Sequence, residues 1–120
     1  WGTGKPLREF LWSEEMADAT VFVMENVSFE DTFPRGAKEI RNCHINIGTG
    51  KELSIAELAH LIQRTIGFKG EIRFDPTKPD GTMRKLTDVT KLHQLGWHHR
   101  IEIEEGVERL YRWYLDNMAG

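Results

Sequence analysis

The stretch "HINIGTGKELSIAELAHLIQRTIG", residues 44–67, carries two periodicities in succession, and the switch between them decides the fold class. His44-Ile45-Asn46-Ile47 alternates polar and apolar residues, as a strand with one buried face does, and Gly48-Thr49-Gly50 ends it. From Ser54 onward Ile55, Leu58, Ala59, Ile62 and Ile66 recur at helical spacing until Gly67. Ser54 and Glu57 form a capping box, in which each side chain takes up the other's backbone N–H, so the start of this helix is set locally. A strand leading directly into an amphipathic helix implies layers of both kinds.

Toward the N-terminus, LREFLW (residues 7–12) reads as extended, and Ser13 before Glu14 and Glu15 reads as the cap of a helix over about 14–26. Its apolar residues Met16, Ala17, Ala19, Val21, Phe22, Val23 and Met24 cover more than one face, which predicts burial on two sides. Residues 27–43 show no period and read as a surface excursion with a partial helical turn. Toward the C-terminus, Glu71 to Asp75 alternates again, placing Ile72 and Phe74 on one side, and DPTKPDGT (residues 75–82) breaks the chain into a long loop. Arg84-Lys85-Leu86 is a brief extended piece. Asp88 is placed to cap a short helix carrying Val89, Leu92 and Leu95 to a stop at Gly96, with Trp97 sealing its end. A last helix over about 103–118 sets Ile103, Val107, Leu110, Tyr111, Tyr114, Leu115 and Met118 along one packed stripe. The expected class is α+β, with short strands between helices, over one domain of residues 1–120.

Composition narrows the functions available. At 120 residues the chain suffices for one small domain, and with 16 Lys and Arg against 19 Asp and Glu its formal charge is −3. No polybasic run marks a nucleic-acid or membrane partner, so an anionic ligand has to be caught by local charge. The single cysteine, Cys43, excludes an intrachain disulfide and fits a reducing compartment, with the cytoplasm as the expectation. No stretch has the length and apolarity of a bilayer span, and residues 1–20 lack the pattern of a signal peptide. The sequon Asn26-Val27-Ser28 is then expected to be inert.

Several chemistries fail on spacing. Gly-Thr-Gly-Lys occurs at 2–5 and at 48–51, resembling the tail of a phosphate-binding loop, but the second copy has Ile45 and Glu52 where that loop needs Gly and Ser or Thr, and Pro6 follows the first. The dinucleotide fingerprint fails as well, because Leu53 stands where its third glycine belongs. The flanks of the two copies differ, so they do not read as a repeat. His44, His60, His93, His98 and His99 form no H-E-x-x-H pair or close Cys/His cluster, so no metal site is expected. Cys43 and His44 would point to opposite faces of a strand, and Glu14-Glu15 and Glu104-Glu105 sit at helix starts, where the dipole explains them. No catalytic group emerges.

What remains is a binding constellation. Between residues 69 and 91 six basic side chains (Lys69, Arg73, Lys78, Arg84, Lys85 and Lys91) face four acidic ones, a local excess on an acidic protein. A diphosphate is held by Arg and Lys, and a nucleoside by an aromatic wall and a carboxylate for its hydroxyls. Trp1, Arg8, Asp80 and Lys85 supply that set from two loops. The plain structural alternatives are a Trp used as a core plug, solvated Lys and Arg, and a Pro-Asp-Gly turn.

PLREFLWSEEMADA, then HINIGTGKELSIAELAHLI with Gly67, then KPDGTMRKLTDVTKLHQLGW together resemble the C-terminal part of the GDP-L-fucose synthase family, within the extended short-chain dehydrogenases/reductases. The Arg-Glu-Phe and Asn-Ile-Gly-Thr-Gly segments are shared widely among nucleotide-sugar epimerases and dehydratases, whereas KPDGTxRKLxD is the narrower signature. Met83 departs from it where Pro is common, and Trp12 stands where relatives commonly have His or Tyr. The resemblance implies a small C-terminal substrate-binding domain whose N-terminal Rossmann domain, with the NADPH site and the catalytic Ser, Tyr and Lys, lies outside these 120 residues. It implies a homodimeric parent enzyme that epimerises and reduces GDP-4-dehydro-6-deoxy-D-mannose to GDP-L-fucose. It assigns Trp1, Arg8 and Asp80 to the substrate and Lys85 to the neighbourhood of its diphosphate. No Tyr-x-x-x-Lys occurs here, since Leu115 follows Tyr111 and Met118 follows Tyr114 at that spacing, so these residues alone are expected to be inactive. WGTGKPLREFLW, at residues 1–12, is accordingly expected to be the inside of a substrate loop. The alternatives are the same region of another nucleotide-sugar epimerase or dehydratase, or a stand-alone nucleotide-binding or interaction module.

Overall fold

Residues 2–9 run beside residues 75–87, and a ladder between these two segments organises the molecule. The computed structural model describes residues 1–118. Strand β1 (Leu7–Arg8) lies in the centre of a three-stranded sheet, antiparallel to β2 (Leu53–Ser54) and parallel to β3 (Arg84–Lys85). Helix α1 (Ser13–Asn26) follows β1, α2 (Ile55–Ile66) follows β2 without a break, α3 (Thr90–Gln94) follows β3, and α4 (Ile103–Asn117) closes the described chain. The α+β expectation holds.

Local chemistry sets these boundaries. In α2 the Ser54 hydroxyl accepts the Glu57 N–H at 3.1 Å while the Glu57 carboxylate accepts the Ser54 N–H at 2.7 Å, and the helix ends at Gly67 in the left-handed region. The next N–H groups of α2 donate to the first loop, Ile55 to the Pro6 carbonyl and Ala56 to that of Gly4. Helix α1 starts one residue earlier than its sequence signals: Trp12, not Ser13, is the cap residue, and no side chain caps it. Asp88 does receive the Thr90 N–H at 3.0 Å, but α3 is a short helix with Val89 at its cap position. Residues 29–32 form a single 3₁₀ turn inside the surface excursion.

Two expected strands do not form ladders. Residues 44–47 and 71–75 keep the alternation, with Ile45, Ile47, Ile72 and Phe74 half-buried, yet neither segment has a strand partner among the described residues. Alternation records which face is buried, whereas a ladder also needs a neighbour for the N–H and C=O groups.

The core is thin. Ala19, Leu92 and Trp97 form its centre, with Leu11, Phe22, Val23, Ile45 and Ile47 packed around them, and the Trp97 indole N–H donates to Asp18 at 2.8 Å. One face of α1 joins this core, while Met16, Val21 and Met24 stay exposed, so the expected burial on two sides is met on one. The stripe of α4 is likewise not packed away: it lies against α2, but Leu110, Trp113, Tyr114 and Leu115 are about half exposed and no described residue of α4 is fully buried. The radius of gyration is 18.3 Å, where a compact chain of this length would have about 14 Å. Its accessible surface of 8884 Å² likewise exceeds the roughly 6,700 Å² of a compact monomer this size.

Candidate functional site

The four residues singled out from the sequence all lie on the two segments that run side by side. Arg8 and Lys85 are register partners across the β1–β3 pair, which puts their side chains on the same face of the sheet. Like charges set opposite each other in a ladder are unfavourable. Even so, neither has a carboxylate within ion-pairing distance among the described residues. Arg8 instead donates from its guanidinium to its neighbour's carbonyl, Leu7 O, at 2.7 Å. Arg84, on the opposite face, is already neutralised: its guanidinium meets Glu52 at 2.8 and 2.9 Å, which holds its pKa above the ordinary value.

Trp1 and Asp80 lie toward the other end of the same pair of segments. The Gly2 N–H donates to Asp75 O at 2.8 Å, and the Asp80 carboxylate accepts the Thr3 N–H at 2.6 Å and the Thr3 hydroxyl at 2.7 Å. Those bonds, led by the hydroxyl, hold the Asp80 carboxyl below its usual range. The Trp1 ring is 83% exposed among the described residues, and the Lys78 ammonium stands 6.0 Å from its centroid. Asp80 thus fixes the loop that presents Trp1, while Lys78, which sequence reasoning counted only as part of a charge excess, flanks the ring.

Glu9 is the residue that sequence reasoning passed over. Its Oε1 accepts the N–H groups of Thr49 and Gly50, both at 2.6 Å, and the Thr49 hydroxyl at 3.2 Å; its Oε2 accepts the Thr87 hydroxyl at 2.6 Å and N–H at 3.1 Å. Burial works to raise the Glu9 pKa, but the Thr87 hydroxyl and the three N–H donors together outweigh it, and the net direction is down. No signal in the sequence reports it, since Glu9 is 40 residues from Thr49 and 78 from Thr87.

The two Gly-Thr-Gly copies, whose flanks argued against a repeat, do the same thing. In each, the threonine offers N–H and hydroxyl to a carboxylate from elsewhere in the chain, Asp80 at Thr3 and Glu9 at Thr49. In each, the following lysine donates its N–H to the threonine hydroxyl, at 3.3 Å for Lys5 and 3.1 Å for Lys51, and the glycine between has φ near +70°. The second is an anion nest, with the consecutive N–H groups of Thr49 and Gly50 on one oxygen, and the first gives Asp80 one N–H and a hydroxyl; in both the anion is the protein's own. The first N–H groups of α2 are likewise taken, by the Gly4 and Pro6 carbonyls, while Arg8 and Lys85 have no ion-pair partner among the described residues.

A hollow of about 590 Å³ lies elsewhere, lined by Gly50, Arg84, Thr87, Asp88, Thr90 and His93. It contains none of the four expected residues, and its one arginine is already paired with Glu52, so it is poorly suited to an anion. Among the described residues no group of three or more His, Cys, Asp or Glu is placed to hold a metal, and no helix is long and apolar enough to cross a membrane.

No protein-family model matches the chain. It is similar to GDP-L-fucose synthases: that of Escherichia coli is 49% identical over 120 residues, covering 98% of this chain and 36% of that protein. Among solved structures, a GDP-6-OMe-4-keto-L-xylo-heptose reductase from Campylobacter jejuni is 43% identical with a TM-score of 0.90 over 97% of this chain and 33% of that one. A GDP-mannoheptose C4 reductase from the same organism, solved with NADP bound, is 42% identical with a TM-score of 0.82, over 96% and 33%. The chain spans about a third of the length of these relatives.

Proposed function

We propose that this chain is the C-terminal, GDP-sugar-holding part of an NADP-dependent epimerase/reductase, and that the whole enzyme converts GDP-4-dehydro-6-deoxy-D-mannose to GDP-L-fucose. The observation that carries the reading is Arg8 in register with Lys85, two cations on one face with no carboxylate between them. A diphosphate laid across them removes their repulsion and is held by a planar fork and a point charge together. Trp1, exposed beside Lys78, is the wall for the nucleoside, and Asp80 takes a ribose hydroxyl with the acceptor capacity that Thr3 leaves free.

NADPH does not fit these residues: the dinucleotide fingerprint is absent, and the N–H groups of Thr49 and Gly50 are spent on Glu9. In this reading the cofactor and the catalytic Ser, Tyr and Lys belong to an N-terminal Rossmann domain, and the half-exposed apolar faces of α1 and α4 are surfaces on which such a domain can rest. The 120 residues alone then turn over nothing. The parent is proposed to be a cytoplasmic homodimer without a nucleic-acid or membrane partner.

Calorimetric titration with GDP, at low and moderate salt, tests the reading. Binding that weakens with salt and with each of Arg8→Ala and Lys85→Ala is the expected result; binding indifferent to either substitution refutes it. A second reading, reduction of a GDP-heptose, is favoured by the GDP-heptose reductases, whose 42–43% identity approaches the 49% of the fucose synthase. Turnover of GDP-4-dehydro-6-deoxy-D-mannose by the whole protein in D₂O separates the two: an epimerase exchanges ring protons for deuterium, whereas a reductase alone does not.

A further inference from the structure

We propose that Glu9 is a positioning residue of the diphosphate site, acting through the alignment of Arg8 with Lys85; the inference rests on the reading given above for those two cations. The β1–β3 pair is only two residues long, and it sets Arg8 against Lys85. A ladder this short does not hold two like charges together by itself. Each end of the paired segments is fastened by a carboxylate, Asp80 to Thr3 at one end and Glu9 to Thr87 at the other. Glu9 directly follows Arg8, and Thr87 stands two residues beyond Lys85, so the Glu9 fastening is the nearer to the cations.

A carboxylate can serve here without cancelling the charges it aligns, because its charge is absorbed by the N–H groups of Thr49, Gly50 and Thr87 and by two threonine hydroxyls, and Glu9 forms no ion pair with Arg8 or Lys85 among the described residues. Five hydrogen bonds occupy its two oxygens. Glu9 therefore orders the anion site without touching the anion.

The test is GDP titration of the protein and five variants. Glu9→Gln is expected to weaken binding about tenfold, an effect of the size found between residues that share one network. Thr87→Val, which removes one donor to Glu9, is expected to weaken it in the same direction, and Thr87→Ser to restore it. The double variant Glu9→Gln/Lys85→Ala is expected to bind no more weakly than Lys85→Ala alone, because a positioning effect vanishes once the residue it positions is gone. Wild-type affinity in Glu9→Gln, or effects that multiply in the double variant, overturns the inference while leaving the diphosphate reading intact. Should Glu9→Gln fail to fold, the Thr87 pair decides alone: equal affinity in Val and Ser variants overturns the proposal. If Lys85→Ala binds GDP as the wild type does, the diphosphate reading itself falls and takes this inference with it.

Discussion

Gly48→Ala should be among the most damaging small substitutions in this chain, and the reason is local. A Cβ built on Gly48 would stand 2.5 Å from Glu9 Oε1 and closer still to the Thr87 hydroxyl, where real Cβ atoms are essentially never found. Neither atom is free to withdraw: Oε1 is held by three donors and the Thr87 hydroxyl by its 2.6 Å bond to Oε2. Relief requires Glu9 to leave the nest. Hydrogen bonds to a charged group contribute about 1.5–3 kcal/mol each, but Glu9 is only half-buried and water replaces part of what is lost, so a net loss of about 2–4 kcal/mol is expected. For a domain of this size that corresponds to a fall in melting temperature of roughly 10 °C. The same substitution at Gly106 should have the opposite sign. That residue lies within α4, where a Cβ meets Trp12 at 3.5 Å and Ile101 at 4.0 Å, ordinary contacts, and Ala is preferred to Gly in a helix by about 0.5–1 kcal/mol. Thermal denaturation followed by circular dichroism reads both. A Gly48→Ala protein melting within about 2 °C of the wild type, or a Gly106→Ala protein melting lower, would refute the reasoning.

Three further outcomes follow from the geometry. Leu92→Ala, at the fully buried centre of the core, should destabilise by about 2–5 kcal/mol in urea denaturation, the range for opening a cavity the surroundings cannot close. Ser54→Ala removes one half of the α2 capping box and should lower stability by about 1 kcal/mol, with Ser54→Asp retaining most of it. His93 stacks on the His98 ring at 4.1 Å with its Nε2 buried and unpartnered, and burial, then His98 and His99, hold its pKa below the ordinary value. A depressed histidine pKa means that the unfolded chain takes the proton first. Its contribution is therefore complete above about pH 6.5 and is lost as the pH falls below that, and His93→Gln should flatten the urea-midpoint profile between pH 7 and 5.

What the sequence disclosed and what it hid divide along one physical line. Signals that a few neighbouring residues complete among themselves were legible: the Ser54–Glu57 box, the left-handed stop at Gly67, the Pro-Asp-Gly loop. Trp1, Arg8, Asp80 and Lys85 read as loop residues that carry charge or an aromatic ring, and their placement on two adjoining segments is a finding of the structure. Partnerships across long separations were hidden. Glu9 is 40 residues from Thr49 and 78 from Thr87, Glu15 is 85 from the Arg100 N–H it accepts at 2.5 Å, and nothing in a periodicity reports such a bond. Glu14-Glu15 looked like a dipole effect, and Glu14 does lie exposed in the first turn; Glu15 instead is buried and ties α1 to the segment before α4. Residues 44–47 have the pattern of a strand but no ladder, because a pattern fixes a face and cannot supply a neighbour.

The two Gly-Thr-Gly segments change how a glycine-rich motif should be weighed. Such a turn exposes consecutive N–H groups, and the physics asks only that an anion fill them. Spacing rules gave no nucleotide motif there, yet they left the question of what does fill them, and the answer, Glu9 and Asp80, fastens together the two segments that carry Arg8 and Lys85. Backbone N–H groups are thereby used for folding, and in the proposed reading recognition of a diphosphate is left to the side chains of Arg8 and Lys85. That division makes the proposed site sensitive to residues that never meet a ligand, since moving either carboxylate alters the alignment of Arg8 and Lys85 before any contact to the anion is touched.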